Sequence, residues 1–263
     1  MKYFVSFGAM VCSMSLLVVD KLFVDVGENR VISGVSFAVN PGEIILLFGP
    51  NASGKTSLAM AILGHPKYRI TGGRILFYGR DITSLSMESR IKLGITATFQ
   101  FAPEIKGITL RELTEALSKR FAISSERVEE LSRLLELEEL MDRDINVGFS
   151  GGERKRAEIF LTALQSPKFV IFDEPDSGVD PDSIALIGKA IMKMKEYGLK
   201  GALIITHTGF LSRHIKASRA LVMINHEIVC KGPADILASH ILNYGFEMCL
   251  SRYGDRCELE GKV

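Results

Sequence analysis

The chain has 263 residues, of which 47% are hydrophobic and 24% charged, and its formal net charge is +1 at pH 7. This composition is typical of a globular protein with one sizeable domain, and the balanced charge argues against nucleic acid or an acidic membrane as a partner held by bulk charge. The four cysteines form no CxxC pair and no metal-ligand spacing with histidine. The sequence therefore predicts a cytoplasmic protein without a disulfide framework.

The N-terminal run over residues 3–19 contains no charged side chain and follows Lys2, which faintly resembles a signal peptide. It is slightly short for a membrane span, which takes about 20 apolar residues. Its last part also has the pattern of a β-strand. We therefore expect residues 1–14 to be a short extension, arising from an upstream start codon, and residues 15–263 to form one domain without membrane insertion.

Short strand patterns separated by turn residues follow, at residues 16–19, 22–26, 34–39 and 43–48. The last of these strands is uniformly apolar, as expected for a strand that is buried on both faces. A helix is predicted directly after it, over residues 56–63.

The middle of the chain, from about residue 84 to 150, changes to a mostly helical and charged pattern. Its clearest helices are predicted over residues 110–122 and 125–141, and Ser124 is a plausible cap for the second. Alternating strands and helices resume afterwards, with apolar strands at residues 169–172, 202–206 and 220–224. The predicted fold class is therefore α/β, a nucleotide core interrupted by an inserted helical lobe.

Residues 49–56 read GPNASGKT, follow a buried strand and open a helix, which is the spacing and context of a P-loop. Glycines let the backbone N–H groups turn toward phosphate oxygens, and the helix N-terminus adds a partial positive charge. Lys55 would reach the β- and γ-phosphates, and Thr56 would offer its hydroxyl to Mg²⁺. The predicted nucleotide-binding residues here are Gly49, Pro50, Asn51, Ala52, Ser53, Gly54, Lys55, Thr56 and Ser57.

Two further apolar strands end in polar residues. One ends in Asp173 and Glu174, and the other ends in His207. Because ligands of such sheets bind at the carboxyl ends of the strands, we predict that Asp173 approaches Mg²⁺, that Glu174 is the general base for the attacking water, and that His207 contacts the γ-phosphate. Seen alone, acids at a strand end can cap a helix and a single histidine is more often structural, so these assignments depend on the P-loop.

Residues 149–153 read FSGGE and precede a basic helix start. A glycine-rich helix N-terminus with a serine hydroxyl is a second anion site. The segment resembles the signature motif of ABC ATPases, and the other core motifs follow in that family's order. The resemblance covers nearly the whole chain from about Ser15 and implies an ABC ATPase (P-loop NTPase) core with an N-terminal antiparallel β region and an inserted helical subdomain.

In that family the second anion site comes from a partner subunit, so the resemblance implies a head-to-tail dimer with two ATP molecules at its interface. It assigns Ser150, Gly151 and Gly152 to the partner's nucleotide, and Asp180 to a loop that crosses the interface. Gln100 matches the family's glutamine that senses Mg²⁺ and the attacking water. The implied activity is hydrolysis of ATP to ADP and phosphate.

Several segments are similar to one branch of the family, SufC, the ATPase subunit of the SUF iron–sulfur cluster assembly system. They are residues 64–73, 99–105, 146–153, 176–180 and 244–246. Val26 stands where most transporter ATPases carry an aromatic residue that stacks on adenine, an absence shared with SufC, and this predicts modest nucleotide affinity and weak base selectivity. Pro175 and Ala52 depart from the branch's usual residues.

The SufC resemblance implies SufB/SufD-like scaffold proteins as partners, which would carry the cluster chemistry. The alternative is the ATP-binding subunit of an ABC membrane transporter, because the same motifs would serve there. A DNA-repair or chromosome-structure ATPase would need coiled-coil arms or zinc modules, and the sequence contains neither. We therefore expect no nucleic-acid partner.

Overall fold

The computed structural model describes residues 15–98, 102–207, 209–246 and 257–258. Its strands, in chain order, are β1 (Leu17–Val26), β2 (Asn29–Val39), β3 (Glu43–Phe48), β4 (Arg69–Phe77), β5 (Arg80–Asp81), β6 (Ile95–Ala97), β7 (Ile105–Thr109), β8 (Asp144–Ile145), β9 (Phe169–Asp173), β10 (Gly201–Ile205), β11 (Arg219–Ile224), β12 (Glu227–Pro233) and β13 (Cys257–Glu258). Its α-helices are α1 (Lys55–Leu63), α2 (Met87–Lys92), α3 (Leu110–Phe121), α4 (Ser125–Leu134), α5 (Gly151–Ala163), α6 (Pro181–Glu196) and α7 (Ala234–Tyr244).

An antiparallel sheet with the strand order β2-β1-β4-β5 lies at the start of the described chain, as the sequence predicts. The two strands predicted over residues 16–19 and 22–26 are one continuous strand, β1, which carries a bulge. Lys21 adopts a left-handed backbone at φ 47 within this bulge. A β-carbon at Gly73 on the facing strand would collide with the carbonyl oxygens of Asp20 and Lys21, so the bulge depends on a glycine opposite it.

A larger sheet has the strand order β13-β12-β11-β3-β10-β9-β6. Strands β11, β3, β10, β9 and β6 run parallel to one another, and β12 pairs antiparallel with β11. Every residue of β9 and β10 is buried, and so is every residue of β3 after Glu43. This explains why these segments are uniformly apolar rather than alternating.

The two faces of the large sheet contribute to two separate hydrophobic cores. Ile44, Leu46 and Phe48 of β3 belong to the core that includes residues of α5, α6 and α7. Ile45 and Leu47 belong to the other core, which includes α1 and the antiparallel sheet. Because β3, β9 and β10 are parallel, their carboxyl ends meet at one edge, and the three predicted phosphate-site segments leave the sheet there.

The segment between β6 and α5 contains α3 and α4. The predicted start of α4 is confirmed, since the Ser124 hydroxyl accepts a hydrogen bond from the Arg127 backbone N–H. The predicted end at residue 141 is wrong, because α4 stops at Leu134 and Glu136 then adopts φ 51.

The domain boundaries stay predictions. Strand β6 lies inside the range 84–150 assigned to the helical lobe, yet it pairs with β9 of the large sheet. Residues 1–14 of the predicted extension lie outside the described residues. Within the described part of the chain, no helix has both the length and the apolar character needed to cross a bilayer.

Candidate active site

The P-loop connects the end of β3 to the start of α1. Gly54 is the N-cap residue of α1 at φ 106 and provides no side chain, so no side-chain hydrogen bond caps the helix. A β-carbon at Gly54 would lie 2.8 Å from the Val31 carbonyl oxygen, and one at Gly49 would lie 2.7 Å from Ser53 Oγ. The two glycines are therefore required by close packing. Ala52 adopts φ 62, a left-handed conformation that is strained for a residue with a β-carbon.

Lys55 is held inside the P-loop. Its side-chain Nζ donates hydrogen bonds to the carbonyl oxygens of Gly49 and Pro50, both at 2.8 Å. Burial lowers the pKa of this ammonium group, whereas the negative charges of Glu174 and Asp173 act to raise it. The lysine is therefore fixed at the mouth of the loop, with two carboxylates close enough to affect its ionisation.

Asp173, the last residue of β9, is 1% exposed. Its backbone N–H donates to Thr98 Oγ1 at 3.0 Å, but within the described part of the chain neither carboxylate oxygen has a hydrogen-bond partner. Burial raises the pKa of Asp173, the Glu174 charge raises it further, and the nearby Thr56 hydroxyl favours the ionised form although the pair falls outside hydrogen-bond geometry. A buried carboxylate without a partner is costly unless a cation or donor completes it.

Glu174 follows Asp173 with φ 51, outside the strand conformation. Its backbone N–H donates to the Ile205 carbonyl oxygen at 3.0 Å, which fixes it next to the end of β10. Its Oε1 lies 3.4 Å from His207 Nδ1, and the two side chains are 11% and 40% exposed. The predicted base and the predicted γ-phosphate contact are therefore neighbours.

One cavity of about 590 Å³ brings most of these residues together. Its volume is in the range of sites for small organic ligands. The cavity is lined by Val31, Asn51, Ala52, Ser53, Gly54, Lys55, Thr56, Ser57, Glu174, Ser177, His207 and His226. Val26 is not among these lining residues, and Gln100 lies outside the described residues.

The residues of the predicted second anion site form a separate cluster. Ser150 caps α5, and its backbone N–H donates to Glu153 Oε2 at 2.6 Å while its hydroxyl accepts from the Glu153 N–H at 3.3 Å. Asp180 caps α6 by accepting from the Ser183 N–H at 2.8 Å. A β-carbon at Gly152 would lie 2.8 Å from Asp180 Oδ2, so the two helix N-termini adjoin. None of Ser150, Gly151, Gly152 and Asp180 is among the residues that line the 590 Å³ cavity.

Sequence reasoning did not identify a buried network behind the carboxylates. Thr206 Oγ1 donates to Asp176 Oδ2 at 2.9 Å and accepts from the Gly209 N–H at 3.1 Å. The network joins the segment after Glu174 to the segment around His207. The only signal in the sequence was a polar residue at each strand end. His226 was also missed, because nothing in its surrounding sequence connects a turn after β11 to the P-loop.

Comparison with known proteins agrees with this fold. A model of the ABC transporter family matches residues 32–177. A probable ABC transporter ATP-binding protein of Streptococcus pyogenes is 34% identical over 243 residues, covering 89% of this chain and 94% of that protein. A probable ATP-dependent transporter, ycf16, of Antithamnion sp. is 36% identical over 244 residues, covering 88% of this chain and 96% of that protein. A crystal structure of a nucleotide-free ATP-binding cassette from an ABC transporter superposes with a TM-score of 0.72 at 28% identity, covering 88% of this chain and 96% of that cassette.

The fold and the P-loop together define a nucleotide-binding cassette, and the chain belongs to the ABC transporter family of ATP-binding proteins. It is an ATPase, which hydrolyses ATP to ADP and phosphate.

Proposed function

We propose that the chain hydrolyses ATP as one half of a head-to-tail dimer, and that closure of this dimer acts on a SufB/SufD-like scaffold for iron–sulfur cluster assembly in the cytoplasm. The proposal of a dimer is supported by the separation between the N-terminus of α1 and the N-terminus of α5, the two predicted anion sites. The start of α1 lines the cavity with Glu174 and His207, whereas Ser150 and Gly152 do not line it. A second copy in the opposite orientation would complete each cavity with the missing serine.

The phosphates of ATP would lie against the uncapped start of α1, where backbone N–H groups and the helix dipole favour negative charge. Lys55 would exchange its bonds to Gly49 and Pro50 for the β- and γ-phosphates. Both carbonyl bonds hold the ammonium group inside the loop, so the lysine needs only a small movement to reach the phosphates.

The donors beside Lys55 fit Mg²⁺. Asp173 supplies two buried carboxylate oxygens that lack a hydrogen-bond partner among the described residues, and Thr56 supplies a neighbouring hydroxyl. These hard oxygen ligands, few in number, suit an ion that completes its shell with water and phosphate. When bound, Mg²⁺ would neutralise charge on the β- and γ-phosphates. Among the described residues no group of three or more His, Cys, Asp or Glu side chains is arranged for a metal.

Glu174 would accept the proton of the attacking water, because its carboxylate lines the cavity beside the P-loop. His207 would donate to a γ-phosphate oxygen from the opposite side of the Glu174 contact. Asp176 and Thr206 would hold both segments in register through their buried hydrogen bond. Gln100 keeps its proposed role at Mg²⁺ and the water on the family resemblance alone.

Replacing Asp173 with asparagine should raise stability and lower activity together. Because burial raises the pKa of the Asp173 carboxyl group, folding becomes less favourable as the pH rises from the ordinary carboxyl pKa toward the raised pKa of the folded state. Asp173→Asn removes the charge, so the melting temperature without nucleotide should rise at pH 7.5 and converge with that of the wild type at the acidic end of the range. Mg²⁺-dependent ATP hydrolysis should fall. Thermal unfolding at several pH values and a turnover assay test both effects, and a lower melting temperature at pH 7.5 would contradict them.

The proposed scaffold partner is supported by residues that resemble SufC. The Asp176-to-Asp180 segment is one of these, and its first residue makes a specific buried contact with Thr206. Val26 also stands where most transporter ATPases carry the aromatic residue that stacks on adenine, and no Phe, Tyr or Trp is among the described residues that line the cavity. The relatives from Streptococcus pyogenes and Antithamnion sp. are instead described as transporter proteins, so a membrane permease is the second candidate partner.

Affinity capture of the tagged chain from its native cells, followed by mass spectrometry, separates the two partners. We expect recovery of soluble scaffold proteins that carry cluster ligands, at a constant ratio to the chain after washing in salt. Recovery of integral membrane proteins alone would overturn the scaffold proposal and leave the ATPase intact.

A further inference from the structure

We infer that His226 is a nucleoside-binding residue, which contacts the sugar–base part of ATP and supplies the ring that Val26 does not. This inference rests on the proposed position of the phosphates in the P-loop. His226 lies in the turn between β11 and β12 and lines the same 590 Å³ cavity as Lys55 and Thr56.

The strand order places His226 on the correct side of the P-loop. β3 leads into the P-loop and lies between β11 on one side and β10 with β9 on the other. Glu174 and His207 leave from the β9 and β10 side, where the γ-phosphate is proposed to lie. His226 and Val31 therefore form the opposite wall, which is where the nucleoside of a bound ATP must extend.

The backbone holds His226 against the P-loop from two directions. Its N–H donates to the Ser53 carbonyl oxygen at 3.0 Å, and its own carbonyl oxygen accepts from the Ser33 N–H at 3.0 Å. A β-carbon at Gly54 would lie 3.3 Å from His226 Nδ1, so the ring edge packs on the first turn of the site. The side chain is thereby preorganised at the cavity wall.

The imidazole is not explained by local structure. Asn225 and His226 adopt φ 48 and 70, a turn conformation in which glycine is easier at the second position. Nδ1 is buried and has no hydrogen-bond partner among the described residues. A strained residue with a partly unsatisfied ring is typical of a position retained for a ligand. Beside the apolar Val31, a flat imidazole offers a surface for stacking and a second nitrogen for the ribose hydroxyls.

Binding of ATP and of inorganic tripolyphosphate to His226→Gly tests the inference by calorimetry. Glycine accepts the positive φ, so the turn and its backbone hydrogen bonds should persist while the ring is lost. We expect ATP to bind about two- to tenfold more weakly, with tripolyphosphate unchanged. The affinity for GTP should fall by a similar factor, since stacking discriminates little between bases. Asn225→Gly is the matched control, because it relaxes the adjacent turn residue and leaves the ring in place. His226→Phe should retain most of the ATP affinity if stacking dominates.

Equal weakening of ATP and tripolyphosphate by His226→Gly would assign His226 to the shape of the P-loop and overturn the inference. An unchanged affinity of His226→Gly for both ligands would also overturn the inference. If the wild-type chain binds neither ligand, the proposed phosphate site itself fails, which is a result separate from that of His226. If His226→Gly unfolds while Asn225→Gly remains folded, the affinities for ATP and tripolyphosphate are measured on His226→Phe and His226→Asn instead. The inference would be overturned if the ratio of the two affinities were the same in both variants as in the wild type.

Discussion

Replacing Glu174 with glutamine should lower ATP turnover by about 10²- to 10⁴-fold, the usual contribution of a positioned general base. The amide keeps the size and hydrogen-bonding reach of the side chain but cannot accept the proton of water. Binding should persist, because Lys55 and the helix N-terminus that are proposed to hold the phosphates are untouched. The ATP-bound dimer should therefore accumulate, visible by size-exclusion chromatography or light scattering with Mg²⁺-ATP.

Glu88→Gln is the control for this variant. Glu88 is exposed on α2, pairs with Lys92 at 2.7 Å and is not among the residues that line the 590 Å³ cavity, so turnover should remain at the wild-type rate. Wild-type turnover in Glu174→Gln would remove Glu174 from the role of base. Low turnover without dimer accumulation would instead locate the defect in nucleotide binding or closure.

Replacing Ser150 with arginine should abolish hydrolysis while the isolated chain still binds ATP. The bulky cation would replace the hydroxyl that the second copy offers to the γ-phosphate, but Ser150 does not line the chain's own cavity. Ser124→Arg is the matched control, because Ser124 also caps a helix, α4, by accepting a backbone N–H. Both variants lose a cap worth about 1 kcal/mol, and only Ser150→Arg should lose activity.

A mixing experiment tests the head-to-tail arrangement directly. Lys55→Ala removes the phosphate-binding lysine from one chain, and Ser150→Arg removes the signature serine from another. Each variant alone should be inactive. In a mixed dimer, however, the Ser150→Arg chain contributes an intact P-loop to the site completed by the intact serine of the Lys55→Ala chain. Recovery of activity on mixing is expected, and its absence despite proven mixed dimers would refute a shared site.

The local parts of the fold could be predicted from the sequence. The uniformly apolar segments are central strands because burial on both faces leaves no position for a polar residue. The caps at Ser124 and Ser150 are also local, since each serine bonds to a backbone group three residues away. The P-loop and the acids at the end of β9 were predictable for the same reason, because strand, glycine and helix are adjacent in sequence.

The remaining features depend on contacts between distant residues. Lys21 can bulge within β1 only because Gly73 faces it from β4, so the strand pattern alone suggested two strands. Asp176 reads as a surface acid until Thr206 is placed beside it. His226 reads as a turn residue until the hydrogen bond from its N–H to Ser53 places it beside the P-loop. The members of each of these three pairs are too far apart in sequence to fall within one local pattern.

The packing of Gly152 against Asp180 gives the proposed dimer a route for communication between its two nucleotides. Ser177 lines the chain's own cavity, and Gly178 follows it in sequence. A β-carbon at Gly151 would lie 3.1 Å from the carbonyl oxygen of Gly178. The loop that lines the chain's own cavity therefore adjoins the serine segment that would hold the other ATP. In the proposed dimer, a displacement of this loop after hydrolysis would shift the neighbouring helix α5, so the nucleotide state of one site would affect the other.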